Sequence, residues 1–109
     1  MKKTDQVYLE DVLDAIDKIS EFLDGYSYDD FENDEKTIFA VSHALEIIGE
    51  ASNKLSQDFI NNNSDFPMRQ AVEMRNFLIH GYDQISPEVV WKTIKEHLPD
   101  LRKQVQSLI

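Results

Sequence analysis

Between residues 4 and 24, apolar side chains fall at Tyr8, Leu9, Val12, Ile16, Ile19 and Leu23, in steps of three and four. That spacing places them on one face of an α-helix. Thr4 or Asp5 is suited to cap its start and Gly25 to end it. Residues 26–34 are polar and acidic, with Phe31 as an anchor, and read as a connection holding at most one helical turn. The longest pattern runs from about 33 to about 61 through Ile38, Val41, Leu45, Ile48, Ser52, Leu55 and Phe59, the spacing of a bundle seam. Asn61, Asn62, Asn63 and Ser64 end it, because their side chains compete for backbone hydrogen bonds. Gly49 lies inside this helix at a cost of about 1 kcal/mol relative to alanine, which points to the close approach of another helix.

A start signal at Asp65-Phe66-Pro67 opens a helix expected to reach about Tyr82, with Gly81 permitting its exit. Ser86-Pro87-Glu88 opens the next, whose inner face is Val90, Trp91, Ile94 and Leu98. Pro99 is expected to interrupt it before a short last helix carrying Leu101, Val105, Leu108 and Ile109. No segment alternates with the period of a strand. The pattern predicts an all-α, up-and-down bundle of four main helices plus a short C-terminal one, in a single domain over 1–109.

Composition narrows the chemistry. The 109 residues include no cysteine, which excludes disulfides, a thiol nucleophile and thiolate metal sites. No apolar run approaches the about 20 residues that span a bilayer, and no apolar signal region follows Met1. The protein is expected in the cytoplasm, away from membranes. A net charge of −10 is unusual for a protein that binds nucleic acid. The charge is one-sided, however. Residues 1–35 set three lysines against twelve acids, a balance of −9, whereas residues 36–109 are nearly neutral at −1. The acidic end reads as a solvated face, or as a docking surface for a basic partner.

The nearly neutral part holds the densest chemistry, in Met74-Arg75-Asn76-Phe77-Leu78-Ile79-His80-Gly81-Tyr82. On a regular helix Glu73, Asn76 and His80 share one stripe, and Arg75 and Tyr82 share another. Arg75 and His80 then diverge by about 140°, so a single helix does not close them into a pair. RNA cleavage through the ribose 2′-OH needs a proton shuttle near neutrality and a fixed positive charge on the phosphate. His80 suits the first role and Arg75 the second, with Asn76 orienting the imidazole or holding a phosphate oxygen. The plain alternatives are an Arg75–Glu73 ion pair, a helix-end histidine and a polar surface asparagine. His43, Glu46 and Glu50 share a face of the long helix, but no second such motif appears, so a solvated or interface face is favoured over a metal site. His97 has no partner in sequence and reads as an ordinary core or surface residue.

Arg-x4-His-x-Tyr with Asn after the Arg resembles the signature of the HepT-like HEPN proteins. Leu45-Glu46-Ile47-Ile48-Gly49-Glu50-Ala51, Trp91 and Leu98-Pro99 extend the resemblance over about 38–100. It implies a HEPN-like homodimer that acts as the ribonuclease toxin of a toxin–antitoxin pair, cutting tRNA or mRNA rather than DNA, without a cofactor or metal. The implied catalytic residues are Arg75, Asn76 and His80, with Glu50 and Glu73 in support. It also implies a minimal nucleotidyltransferase antitoxin that silences the toxin by adding AMP to Tyr82. The rival reading is a non-catalytic helical module that docks on a separate nucleotidyltransferase and helps present its substrate.

Overall fold

The computed structural model describes residues 4–76 and 86–109. Among them the chain forms six helices and no strand: α1 (Asp5–Phe22), α2 (Tyr28–Glu32), α3 (Glu35–Asn53), α4 (Gln57–Asn62), α5 (Met68–Glu73) and α6 (Pro87–Leu108). The fold is all-α, as the periodicity predicts. α3 packs on α1 and on α5, α6 packs on α1, and α2 lies against both α3 and α6.

Local chemistry accounts for most starts and stops. Thr4 caps α1 by accepting a hydrogen bond from the Val7 amide at 3.4 Å. Gly25, at φ +77°, turns the chain out of α1. Ser27 and Asp30 form a reciprocal capping box on α2, and Phe31 is fully buried as its anchor. Trp91 of α6, read from sequence as core, is only half-buried; it meets Phe31 at 5.4 Å and Tyr28 at 5.8 Å between ring centroids.

Asp34 caps α3. Its carboxylate accepts from the Thr37 amide at 3.1 Å, the Thr37 hydroxyl at 2.7 Å and the Tyr26 hydroxyl at 2.6 Å. The Tyr26 and then the Thr37 hydrogen bonds hold this carboxyl below its usual range. A folded-state pKa below the unfolded value contributes stability above the unfolded pKa of about 3.9, lost as pH falls through the folded one. Melting curves from neutral pH down into the acid range should therefore show the native protein converging on Asp34→Ala as the pH drops. A gap that stays constant would remove Asp34 as the cause.

Three expected boundaries differ. The single helix over about 33–61 is two helices. α3 ends at Asn53, Lys54 and Leu55 turn through i→i−3 bonds to Ala51 and Ser52, and Ser56 caps α4. The cause lies 51 residues away: Asp5 accepts from the Ser56 amide at 2.8 Å and hydroxyl at 2.6 Å, fixing that corner to the start of α1. The C-terminal pair is one helix, α6, which runs through Pro99. An internal proline costs about 3 kcal/mol. Val90, Ile94, Leu98, Leu101 and Val105 are all buried on the opposite side, each worth about 1.5–3 kcal/mol, so burial wins and Pro99 stays at the surface. Third, the helix expected to run from Pro67 to Tyr82 is interrupted after Glu73, with Pro67 just before its first turn. None of the described helices is long and apolar enough to cross a membrane.

Candidate functional site

The segment before Arg75 is positioned by two aromatic residues and a methionine. Phe59 and Phe66 stack edge-to-face at 5.5 Å, which ties the corner before α5 to α4. Ala71 and Met74 are buried beneath α5, at 0% and 3% exposure. The helix then tightens. The Met74 and Arg75 amides donate to Ala71 and Val72 carbonyls, three residues back, each at 3.3 Å.

Gly49 supplies the reason for this contact being so close. A Cβ built on Gly49 would lie 2.6 Å from the Arg75 Cβ, 2.6 Å from the Arg75 amide nitrogen and 2.9 Å from the Val72 carbonyl oxygen. The backbone of α3 touches the backbone of the motif at Arg75 itself, and a hydrogen is the only side chain that fits. The helix partner that Gly49 signals in the sequence is thus the candidate catalytic segment.

Arg75 is half-buried and has no ion pair among the described residues. The expected alternative partner is engaged elsewhere: Glu73 accepts from Arg69 at 3.1 Å across an exposed turn of α5. A guanidinium on closely packed backbone, with no partner among the described residues, has its fork of donors open to an oxyanion. Asn76 is exposed and directed to the α6 side, where it lines a crevice with Thr93 and His97.

The remaining assigned residues separate. His80 and Tyr82, with Gly81, lie outside the described residues. Glu50 is exposed in a crevice that α3 shares with α1, lined also by Tyr8, His43, Glu46 and Lys54, and no hydrogen bond or ion pair joins it to Arg75. Glu73 serves the Arg69 pair. His43 and Glu46 approach to 3.5 Å on the surface. Among the described residues no group of three His, Asp or Glu side chains is arranged to hold a metal. Sequence reasoning missed Gln70, Thr93 and His97, which stand around Met74 and Asn76. Thr93 and His97 are four apart on one stripe of α6, but nothing in the sequence says that this stripe meets α5.

The chain is similar to known proteins along nearly its whole length. The family model described as Ribonuclease HepT-like matches residues 12–108. A protein of Thermococcus cleftensis named "Probable ribonuclease HepT" is 44% identical over 108 residues, covering 99% of this chain and 98% of its own length. "Putative RNase MJ1380" of Methanocaldococcus jannaschii is 37% identical over 107 residues, covering 97% of this chain and 98% of its own. No solved structure matches the chain.

Proposed function

The chain belongs to the HepT-like ribonuclease family, and from that premise we propose that it is a metal-independent endoribonuclease. The observation that carries the reading is the guanidinium of Arg75, which has no ion pair among the described residues and whose backbone is seated against Gly49. In the proposed reaction His80 takes the proton of a ribose 2′-OH. The 2′ oxygen attacks the neighbouring phosphorus, the bond to the 5′ oxygen breaks, and a proton returns to that leaving oxygen. The products are a 2′,3′-cyclic phosphate and a 5′-hydroxyl. Arg75 grips the non-bridging oxygens as charge builds on them, and Asn76 orients the imidazole or holds one of those oxygens.

The biological role proposed is the toxin of a toxin–antitoxin pair in the cytoplasm. It works as a homodimer on tRNA or mRNA. Its proposed partner is a minimal nucleotidyltransferase that adds AMP to Tyr82. Each phosphodiester added there brings a negative charge to the Arg75 segment and competes with RNA phosphate. The proposal is tested with purified protein, single-stranded RNA, and the partner with ATP and Mg²⁺. RNA is expected to be cut whether or not EDTA is added before the partner. Incubation with partner and ATP should stop the cutting and add one or more AMP masses. Tyr82→Phe keeps the ring but lacks the acceptor oxygen, so it should gain no mass and stay active. Equal labelling of both proteins would place the acceptor elsewhere. No labelling by an active partner, together with uncut RNA, would favour the docking-module reading.

A further inference from the structure

The crevice beside Asn76 differs in chemistry from the Arg75 side of the motif. It has a volume of about 270 Å³ and is lined by Gln70, Glu73, Met74, Asn76, Thr93 and His97. None of these is a cation fixed at neutral pH, and the Glu73 carboxylate is in the wall, so a phosphate is disfavoured there. The other groups mix donors and acceptors: two carboxamides, a hydroxyl and an imidazole. Among the described residues the His97 ring has no hydrogen-bond partner, and the Thr93 hydroxyl donates to its own helix at Val89 while its lone pairs remain open. Met74 supplies an apolar, polarisable surface at the base. A mixed edge of donors and acceptors over a thioether suits a flat heterocycle.

Gln70 and His97 also line the adjoining smaller crevice of about 110 Å³, so they stand on the ridge between the two. Arg75 faces α3 at Gly49, while its neighbour Asn76 faces α6. Two successive residues thus address two sides, one suited to a phosphate and one to a base.

We propose that this crevice is a base-reading subsite, in which Gln70, Glu73 and His97 select the nucleotide next to the cut phosphate. The proposal rests on the ribonuclease reading. Glu73 offers acceptors only, held in place by Arg69, so the site favours a base with an exocyclic amino group over uracil. Gln70 and His97 are specificity residues and do not take part in the bond-making steps.

The test uses the full chain and an RNA library with a randomised single-stranded stretch, read by sequencing the cut ends. The native protein is expected to disfavour uracil by at least about fivefold at one position beside the cut, the discrimination a paired base-edge contact supplies. Glu73→Gln, whose amide donates as well as accepts, should reduce that to under about twofold, and Gln70→Ala and His97→Ala should each weaken it, while preferences at other positions persist. Variants that keep the preference, or that lose rate equally on every sequence, overturn the subsite. A second arm separates this from the ribonuclease reading: the same library is captured uncut on His80→Ala protein. Capture that disfavours uracil at one position, and loses this when Glu73→Gln is added, upholds the subsite even without cleavage by the native chain. RNA cut with no preference at any position overturns the subsite and leaves the ribonuclease reading standing. A protein that neither cuts nor captures RNA ends both.

Discussion

Arg75→Ala is expected to fold normally and to lose RNA cleavage by at least about a hundredfold. The fold is spared because no described residue forms an ion pair with the guanidinium and the side chain is half-exposed. The contacts that seat this segment are made by its backbone and Cβ, which alanine keeps. Activity falls because the charge gathering on the phosphate loses its fork of donors, the kind of contact whose removal costs about 10²–10³ in rate. His80→Ala removes the proposed proton shuttle, and its expected cost is about 10²–10⁴ in rate. Rates on a defined single-stranded RNA, with melting temperatures measured beside them, give the check. Cleavage by clean His80→Ala protein at the native rate would end the proposed mechanism. So would a loss of native activity on adding EDTA. If two chains complete each site, mixing the two inactive variants should restore part of the activity. A sedimentation profile showing only monomer at micromolar concentration would remove the dimer from the proposal.

Gly49→Ala carries the second large effect, from a residue with no reactive group. The added methyl would sit 2.6 Å from two atoms of Arg75 and 2.9 Å from the Val72 carbonyl. The Arg75 amide nitrogen and the Val72 oxygen are backbone atoms, so no rotamer change relieves the clash, and α5 has to move off α3. Overpacking of this kind costs about 1–3 kcal/mol. The helix-propensity gain of alanine over glycine, about 1 kcal/mol, offsets only part of it. The displaced part is the motif itself, so cleavage should fall by about tenfold or more even where the protein remains folded, since small misplacements of catalytic groups are costly. Gly25→Ala is the control. Nothing lies within 4 Å of a Cβ there, but its φ of +77° makes alanine strained. That variant should lose about 1–2 kcal/mol of stability and keep its cleavage rate below its melting temperature. If Gly49→Ala lost stability but cut RNA as fast as Gly25→Ala, the glycine would serve packing alone.

The sequence by itself determined the features whose causes lie within about four residues. The three- and four-residue steps from Leu9 to Ile19 make α1, and Thr4, Ser27, Asp34 and Ser86 each cap the helix that follows. The all-α class follows from the same periodicity. The motif was legible because its chemistry-bearing residues crowd into one short stretch, and Gly49 was legible as a site of close approach because its cost in a helix calls for a reason. What approaches it was not legible, because Arg75 lies 26 positions later in the chain.

The tertiary structure decided the rest wherever a distant contact outweighed a local preference. Asp5 holds the corner at Ser56, so the long helix breaks after Asn53 although the apolar pattern runs on to Phe59. Five buried side chains carry α6 through Pro99 against the proline's local cost. The turn at Met74 and Arg75 sits where α5 meets Gly49, in a stretch whose periodicity alone reads as continuous helix. Gln70 and His97 come together beside Asn76 only because α5 and α6 share one edge of the bundle. Periodicity records which face of a helix is buried; it holds no record of which other face buries it, and that pairing places Arg75 against α3 and Asn76 beside the crevice of Thr93 and His97.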